Sequence, residues 1–408
     1  MLVEFTYKNV YSYDQEAYFS LETGSKIRKY QATHTFNIAK QKLLKSAVIF
    51  GANASGKSNL IKAMLLLKNL VIDSNTEIDA QLEFHPFLLQ ANPQETNSEF
   101  CITFVAKKTV YRYTLVYNNV CVDYEKLEYK QANKFVTYFE RNGNQVTGLG
   151  ALEKYQDSLR GNVLFLYFAQ SLNDAHAIEA YRWFKDDLIV FDNQISPGLM
   201  QCLEDETKKQ LFLKFLRAAD IQIEDVIIRK EKEFIPLELQ EIVKKKSFEV
   251  SRLYLKHKRS FDGQLVEFGL GNESAGTIKM MLLALTILKG LNTNKVILID
   301  ELDDSFHLEL TKSVLDLFNS KANNNQFIVT THELQLMDEK LRKDQIYFVQ
   351  KDATGNSELY SMFDFDDEAL KRSDISYMKR YIKGQFGALP LIDQEGFLDI
   401  LGDDGNGA

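Results

Sequence analysis

The segment GANASGKSNL, Gly51 to Leu60, constrains this chain more than any other. It sets Gly51, Gly56, Lys57 and Ser58 in the spacing G-x-x-x-x-G-K-[ST]. The apolar run Ala47-Val48-Ile49-Phe50 ahead of it reads as a buried strand, and Asn59 to Val71 after it reads as a helix. Strand, glycine loop and helix in that order is the context in which the pattern works. Glycines let backbone N–H groups turn inward around a phosphate, and the helix N-terminus adds favourable partial charge. On this reading Gly51, Asn53, Ala54, Ser55, Gly56, Lys57, Ser58 and Asn59 cradle the phosphates of ATP. Lys57 reaches the β and γ phosphates, and the Ser58 hydroxyl helps to hold Mg2+.

The rest of the chain must supply what the ATP is for. Its 408 residues amount to roughly two or three domains' worth of mass. Hydrophobic residues make up 45%, and only 5 prolines and 20 glycines occur, which favours packed cores over long disordered stretches. A net charge of −8 argues against tight, nonspecific coating of DNA. The basic runs Lys244-Lys245-Lys246 and Lys256-His257-Lys258-Arg259 leave room for a local patch, though each reads first as a solvated face. Cys101, Cys121 and Cys202 are far apart, so neither a zinc site nor a disulfide framework is expected, and a reducing cytoplasm fits. The opening MLVEFTYKNV lacks a signal-peptide pattern. The apolar run Met280 to Leu288 is far shorter than the ~20 residues that cross a bilayer, so no membrane partner is expected.

The periodicity predicts an α/β chain with an N-terminal antiparallel β portion and a helical insertion. Met1 to Phe50 alternates like strands, with Leu2, Glu4 and Thr6 opposite Val3, Phe5 and Tyr7. Strand patterns return from Glu99 to Tyr129, and Asn118-Asn119 marks a hairpin. Ala151 to Ala219 reads as helical, strands resume at Val226–Ile228 and Phe248–Leu255, and a strong helix follows Gly276. The expected division is 1–150 (first part of the ATPase domain), 151–220 (helical insertion), 221–395 (second part) and 396–408 (flexible tail).

Three further segments bear on chemistry. Val296-Ile297-Leu298-Ile299 is a buried parallel strand with Asp300 and Glu301 at its carboxyl end, where such sheets bind ligands. Asp300 would hold Mg2+ with Ser58, and Glu301 would orient and polarise the attacking water. A module that only binds ATP needs the first acid and not the second. Gln326-Phe327-Ile328-Val329-Thr330-Thr331 is another buried strand, and His332 at its tip can donate to a γ-phosphate or a catalytic water. Glu273-Ser274-Ala275-Gly276-Thr277 opens the long helix, so Ser274 and Gly276 offer a second anion-binding helix start. Lys57, Glu301 and His332 are therefore the candidate catalytic residues.

In this order of segments the chain resembles an ABC-class ATPase of the SMC and DNA-repair branch. The resemblance implies an ABC-type P-loop NTPase sheet and a homodimer, or a higher homo-oligomer, in which Ser274 and Gly276 of one copy contact the ATP of the other. It makes Asp300 and Glu301 the Walker B pair, Leu302-Asp303-Asp304-Ser305 the D-loop and His332 the H-loop histidine. Gln81 and Gln90 both remain candidates for the Q-loop glutamine. The opening MLVEFTYKNVYSY, DELDDSFH and the closing YIKGQFGALP are similar to compact prokaryotic ATPases of phage-defence and abortive-infection systems, relatives of the OLD-type, retron-associated and PARIS-type ATPases. ESAGT departs from the transporter-like LSGGQ, and no toprim-like acid cluster follows the ATPase.

The resemblance implies an ATPase that senses or regulates a separately encoded effector, a nuclease or toxin. The aromatic-rich stretch between about residues 120 and 265 would read the nucleotide state. The alternative is an SMC-like DNA-repair or DNA-organising ATPase, with nucleic acid contacted through Lys244 to Arg259. Against it, the chain between Ser58 and Ser274 is partly β-like and holds no sustained apolar heptad for coiled-coil arms. A transporter's nucleotide-binding subunit and a P-loop kinase fit less well.

Overall fold

A computed structural model describes residues 1–73, 77–148, 156–192, 194–236, 247–291, 293–365, 376–389 and 393. A six-stranded sheet positions the candidate site. Its order is Leu188–Val190, Val296–Ile299, Gln326–Thr330, Ser46–Phe50, Ile346–Lys351 and Ser357–Ser361. The first five strands are parallel and the last is antiparallel. Every residue of Ser46–Phe50, Val296–Ile299 and Gln326–Thr330 is buried. That explains the near-continuous apolar runs, since a parallel sheet covered on both faces has no polar side.

Side chains alternate across the sheet and divide the interior in two. Ala47, Ile49, Leu298, Ile328 and Val349 face a core shared with Leu60, Met64 and Leu67 of the helix Lys57–Ile72. Val48, Phe50, Ile297, Ile299, Phe327 and Val329 face the other core, with the helices Glu206–Ala218, Ala275–Lys289 and Leu308–Phe318. The first core is closed by a seven-stranded antiparallel sheet, ordered Gln145–Thr147, Lys134–Asn142, Val122–Gln131, Thr109–Tyr117, Ser98–Ala106, Leu2–Lys8 and Ala17–Ser20. A three-stranded antiparallel sheet, Asp225–Phe234, Ser247–Lys258 and Leu265–Gly269, leads into the helix Ala275–Lys289.

The expected α/β architecture and its antiparallel N-terminal portion are present. The hairpin at Asn118 forms as read, with the Asn118 Oδ1 accepting from the backbone of Val120 and Cys121. One reading needs correction. The stretch 151–219 holds the helices Phe165–Ser171, Ala175–Arg182 and Glu206–Ala218, but Leu188–Val190 is an edge strand of the central sheet, paired in parallel with Val296–Leu298. A three-residue strand has too few positions to show a period, and its partner lies far along the chain. Lys244-Lys245-Lys246 and the tail 396–408 lie outside the described residues.

Candidate nucleotide site

The phosphate loop joins the strand Ser46–Phe50 to the helix Lys57–Ile72 and is braced from behind. Gly56 caps the helix at φ 109°, and a Cβ there would stand 2.3 Å from the Ser357 Oγ. A Cβ on Gly51 would stand 2.3 Å from the Val349 carbonyl oxygen. Both positions therefore need glycine. The Ser357 hydroxyl donates to the Ser55 carbonyl at 2.6 Å, the Tyr13 hydroxyl to the Gly56 carbonyl at 3.1 Å, and the Asn59 amide to the Ser12 Oγ at 2.8 Å. Lys57 is 5% exposed, with its ammonium donating to the carbonyls of Gly51 and Ala52, each at 2.9 Å. It also lies 3.5 Å from the His332 Nδ1. Burial pushes the pKa of Lys57 down, while Asp300, Glu301 and Asp303 push it up.

The acid pair meets this loop across the intervening strand Gln326–Thr330. The Ser58 hydroxyl donates to the Asp300 Oδ1 at 3.0 Å, and the Thr330 hydroxyl donates to the same oxygen at 2.5 Å. Thr330 Oγ1 in turn accepts from the Glu301 backbone N–H at 2.8 Å. Glu301 sits in the left-handed region at φ 50°, a conformation unusual for a residue with a Cβ. Its carboxylate is 3.9 Å from the His332 Nε2. The His332 backbone N–H donates to both carboxylate oxygens of Asp303, each at 3.2 Å.

These groups border a cavity of about 740 Å3, lined by residues 53–59 with Glu301, Asp303, Asp304 and His332. Asp300 lies behind Ser58 and off the lining. Ser274 and Gly276 do not line the cavity either. Ser274 is exposed and caps its helix, accepting from the Thr277 N–H at 3.1 Å. A Cβ on Gly276 would stand 2.7 Å from the Ser305 carbonyl oxygen, so this glycine packs against its own acid loop. Neither Gln81 nor Gln90 reaches the lining, and the Gln90 amide donates to Asn9 Oδ1 at 2.6 Å.

Thr330 and Asp303 make contacts at this site that the sequence did not reveal, and the Lys279 ammonium donates to the Glu301 carbonyl at 2.6 Å. Thr330 and Asp303 lie in segments already singled out, yet their contacts depend on which strands are neighbours. Lys279 carried one usable sign, a lone charge in the apolar run Ile278 to Leu288.

The residues fit a nucleoside triphosphate and its divalent cation. The cradle admits no side chain at Gly51 or Gly56. The buried Ser55 hydroxyl has no hydrogen-bond partner among the described residues. Ser58 and Asp300 present two oxygens at hydrogen-bonding distance, the hard donors that Mg2+ prefers.

The family described as "AAA domain, putative AbiEii toxin, Type IV TA system" matches residues 46–338. None of the curated proteins matches the chain. Among solved structures, an SMC head bound to the C-winged helix domain of ScpA is 14% identical, covering 88% of this chain and 97% of that one at a TM-score of 0.44. An SMC head domain from Thermotoga maritima is 13% identical, covering 88% of this chain and 98% of that one at a TM-score of 0.39.

Proposed function

The chain belongs to this AAA-domain family of AbiEii-type toxin systems, and from that premise we propose that it is an ABC-like ATPase that senses or regulates a separate toxic effector in anti-phage defence. Binding and hydrolysis of ATP are supported by the family and by the geometry of the cavity. The observation that carries the reading is the meeting of three segments: Lys57 lies 3.5 Å from the His332 Nδ1, and Ser58 lies 3.0 Å from Asp300.

In the proposed mechanism the N–H groups of the loop and the ammonium of Lys57 bind the β and γ phosphates. Lys57 must leave the carbonyls of Gly51 and Ala52 to do so. Ser58 and Asp300 would hold Mg2+, which supplies neutralisation of phosphate charge when bound. Glu301 orients the attacking water and accepts its proton, and His332 donates toward the γ-phosphate or that water. Thr330 fixes Asp300 and the Glu301 backbone, and Asp303 fixes the His332 backbone. Ser274, exposed and away from the cavity of its own chain, would complete the site of a second copy, so that ATP closes a homodimer. Hydrolysis reopens the dimer, and the effector reads that change.

The test is purification from the native operon, followed by phosphate release from ATP with and without Mg2+. Mg2+-dependent release and a co-purified nuclease or toxin are expected. A chain that releases no phosphate would remove the ATPase reading, and a co-purified permease would replace the defence reading with transport.

A further inference from the structure

The helix Ala275–Lys289 is almost wholly apolar where it meets the core, yet Lys279 lies inside it at 7% exposure. A buried ammonium is tolerated only where its hydrogen-bonding capacity is met. Its partners all belong to the segment from Glu301 to Phe306. Lys279 Nζ donates to the Glu301 carbonyl at 2.6 Å and to the Asp304 carbonyl at 2.9 Å, and lies 3.8 Å from the Asp304 carboxylate. It also stands over the Phe306 ring, 5.3 Å from the centroid. Burial pushes its pKa down, and Asp304, Asp303, Glu301 and Asp300 push it up.

Gly276 stands three residues earlier, on the same helix face. Its closeness to the Ser305 carbonyl brings the helix against the other end of the loop. Between these contacts the backbone is unusual, with both Glu301 (φ 50°) and Ser305 (φ 64°) left-handed. Such residues persist where surrounding structure over-determines them. Here the Glu301 N–H is held by Thr330 and its carbonyl by Lys279.

We propose that Lys279 is a positioning residue that couples the serine-capped helix to the backbone of Glu301. A shift of that helix then moves the carboxylate that orients water. This deepens the proposed function, and rests on it for the role of Glu301. A helix whose exposed tip touches the nucleotide of a second copy would thereby report engagement directly to the catalytic acid of its own site. Lys279 itself does not line the cavity.

The test compares Lys279→Met, which keeps the stem and loses the ammonium, with Lys279→Arg, which keeps a charged donor. Lys279→Gln serves if the methionine variant does not fold. In Lys279→Met, kcat should fall by about 10- to 100-fold, as for a misplaced catalytic group, while ATP affinity stays unchanged. Hydrogen exchange should quicken at Leu302, Asp304 and Phe306, whose N–H groups close this loop on Thr330, Glu301 and Asp303, and not in the helix Lys57–Ile72. Lys279→Arg should recover much of the turnover. Unchanged exchange in the loop, or unchanged kcat beside quickened exchange, would overturn the coupling. Equal losses of kcat and ATP affinity would also overturn it, marking a general packing defect. A wild-type chain that neither binds nor hydrolyses ATP would sink the nucleotide-site reading instead, and loop exchange would still decide the coupling.

Discussion

In the proposed mechanism Glu301 carries the chemistry, and Thr330, at the end of the adjacent strand, carries its alignment. Glu301→Gln keeps the shape of the side chain and removes its basicity. Loss of a positioned general base should slow turnover by about 10²- to 10⁴-fold. ATP affinity should hold and the closed dimer should accumulate, which equilibrium binding and size-exclusion with ATP would register. Normal turnover would take Glu301 out of the water-activating role. Thr330→Val tests alignment, because it removes one hydroxyl that serves both Asp300 and the Glu301 N–H. Its loss takes the acceptor from the Glu301 N–H and leaves Asp300 with one donor fewer beside Ser58. The expected outcome is lower turnover with a raised half-saturating Mg2+ concentration; an Mg2+ titration matching wild type would make Thr330 a bystander. Lys57, Ser58, Asp300, Glu301 and His332 were legible in the sequence as candidates that the fold brings together, because each sits in a short segment of recognisable spacing. Thr330, Asp303 and Lys279 were not, because their partners come from other elements and only the folded chain brings them together.

Elements were legible in proportion to their length and regularity. Ser46–Phe50 and Val296–Ile299 announce themselves as apolar runs, and the helix Lys57–Ile72 as a periodic one. Leu188–Val190 was hidden within a helical stretch, since its strand identity comes from the partner Val296–Leu298. The same dependence on distant partners governs the joint between the antiparallel sheet and the helix Phe165–Ser171. Glu125 and Arg141 are fully buried and 3.5 Å apart. Glu125 also accepts from the backbone of Phe165 at 2.6 Å and Leu166 at 2.8 Å, so one carboxylate satisfies a helix N-terminus and a guanidinium. Glu125→Ala leaves Arg141 buried without its counter-charge and uncaps the helix. The expected loss is about 3–5 kcal/mol, read as a lowered midpoint in urea unfolding. An unchanged midpoint would show that the pair adds nothing to the joint.

At the scale of the whole molecule the proposed function leaves the candidate site unfinished in one copy. The loop, Glu301, Asp303, Asp304 and His332 surround one cavity, while Ser274 is exposed and off its lining. A two-fold dimer would bring each serine-capped helix over the other copy's phosphate loop, making two equivalent sites from two chains. That arrangement has an arithmetic consequence. Lys57→Ala alone spoils both sites of its dimer by removing the phosphate-binding charge, and Ser274→Arg alone spoils both by obstructing the lid. Mixed in equal amounts with free exchange of subunits, the two variants form mixed dimers about half of the time. One site of each mixed dimer then carries both faults, and the other carries none. If the sites act independently, the mixture should regain about a quarter of wild-type turnover. If hydrolysis needs both sites together, turnover stays low, but one labelled ATP should still be retained per mixed dimer and none in either variant alone. Absence of both turnover and retained ATP, with mixed dimers verified by native mass spectrometry, would mean that each chain completes its site without Ser274 of a neighbour.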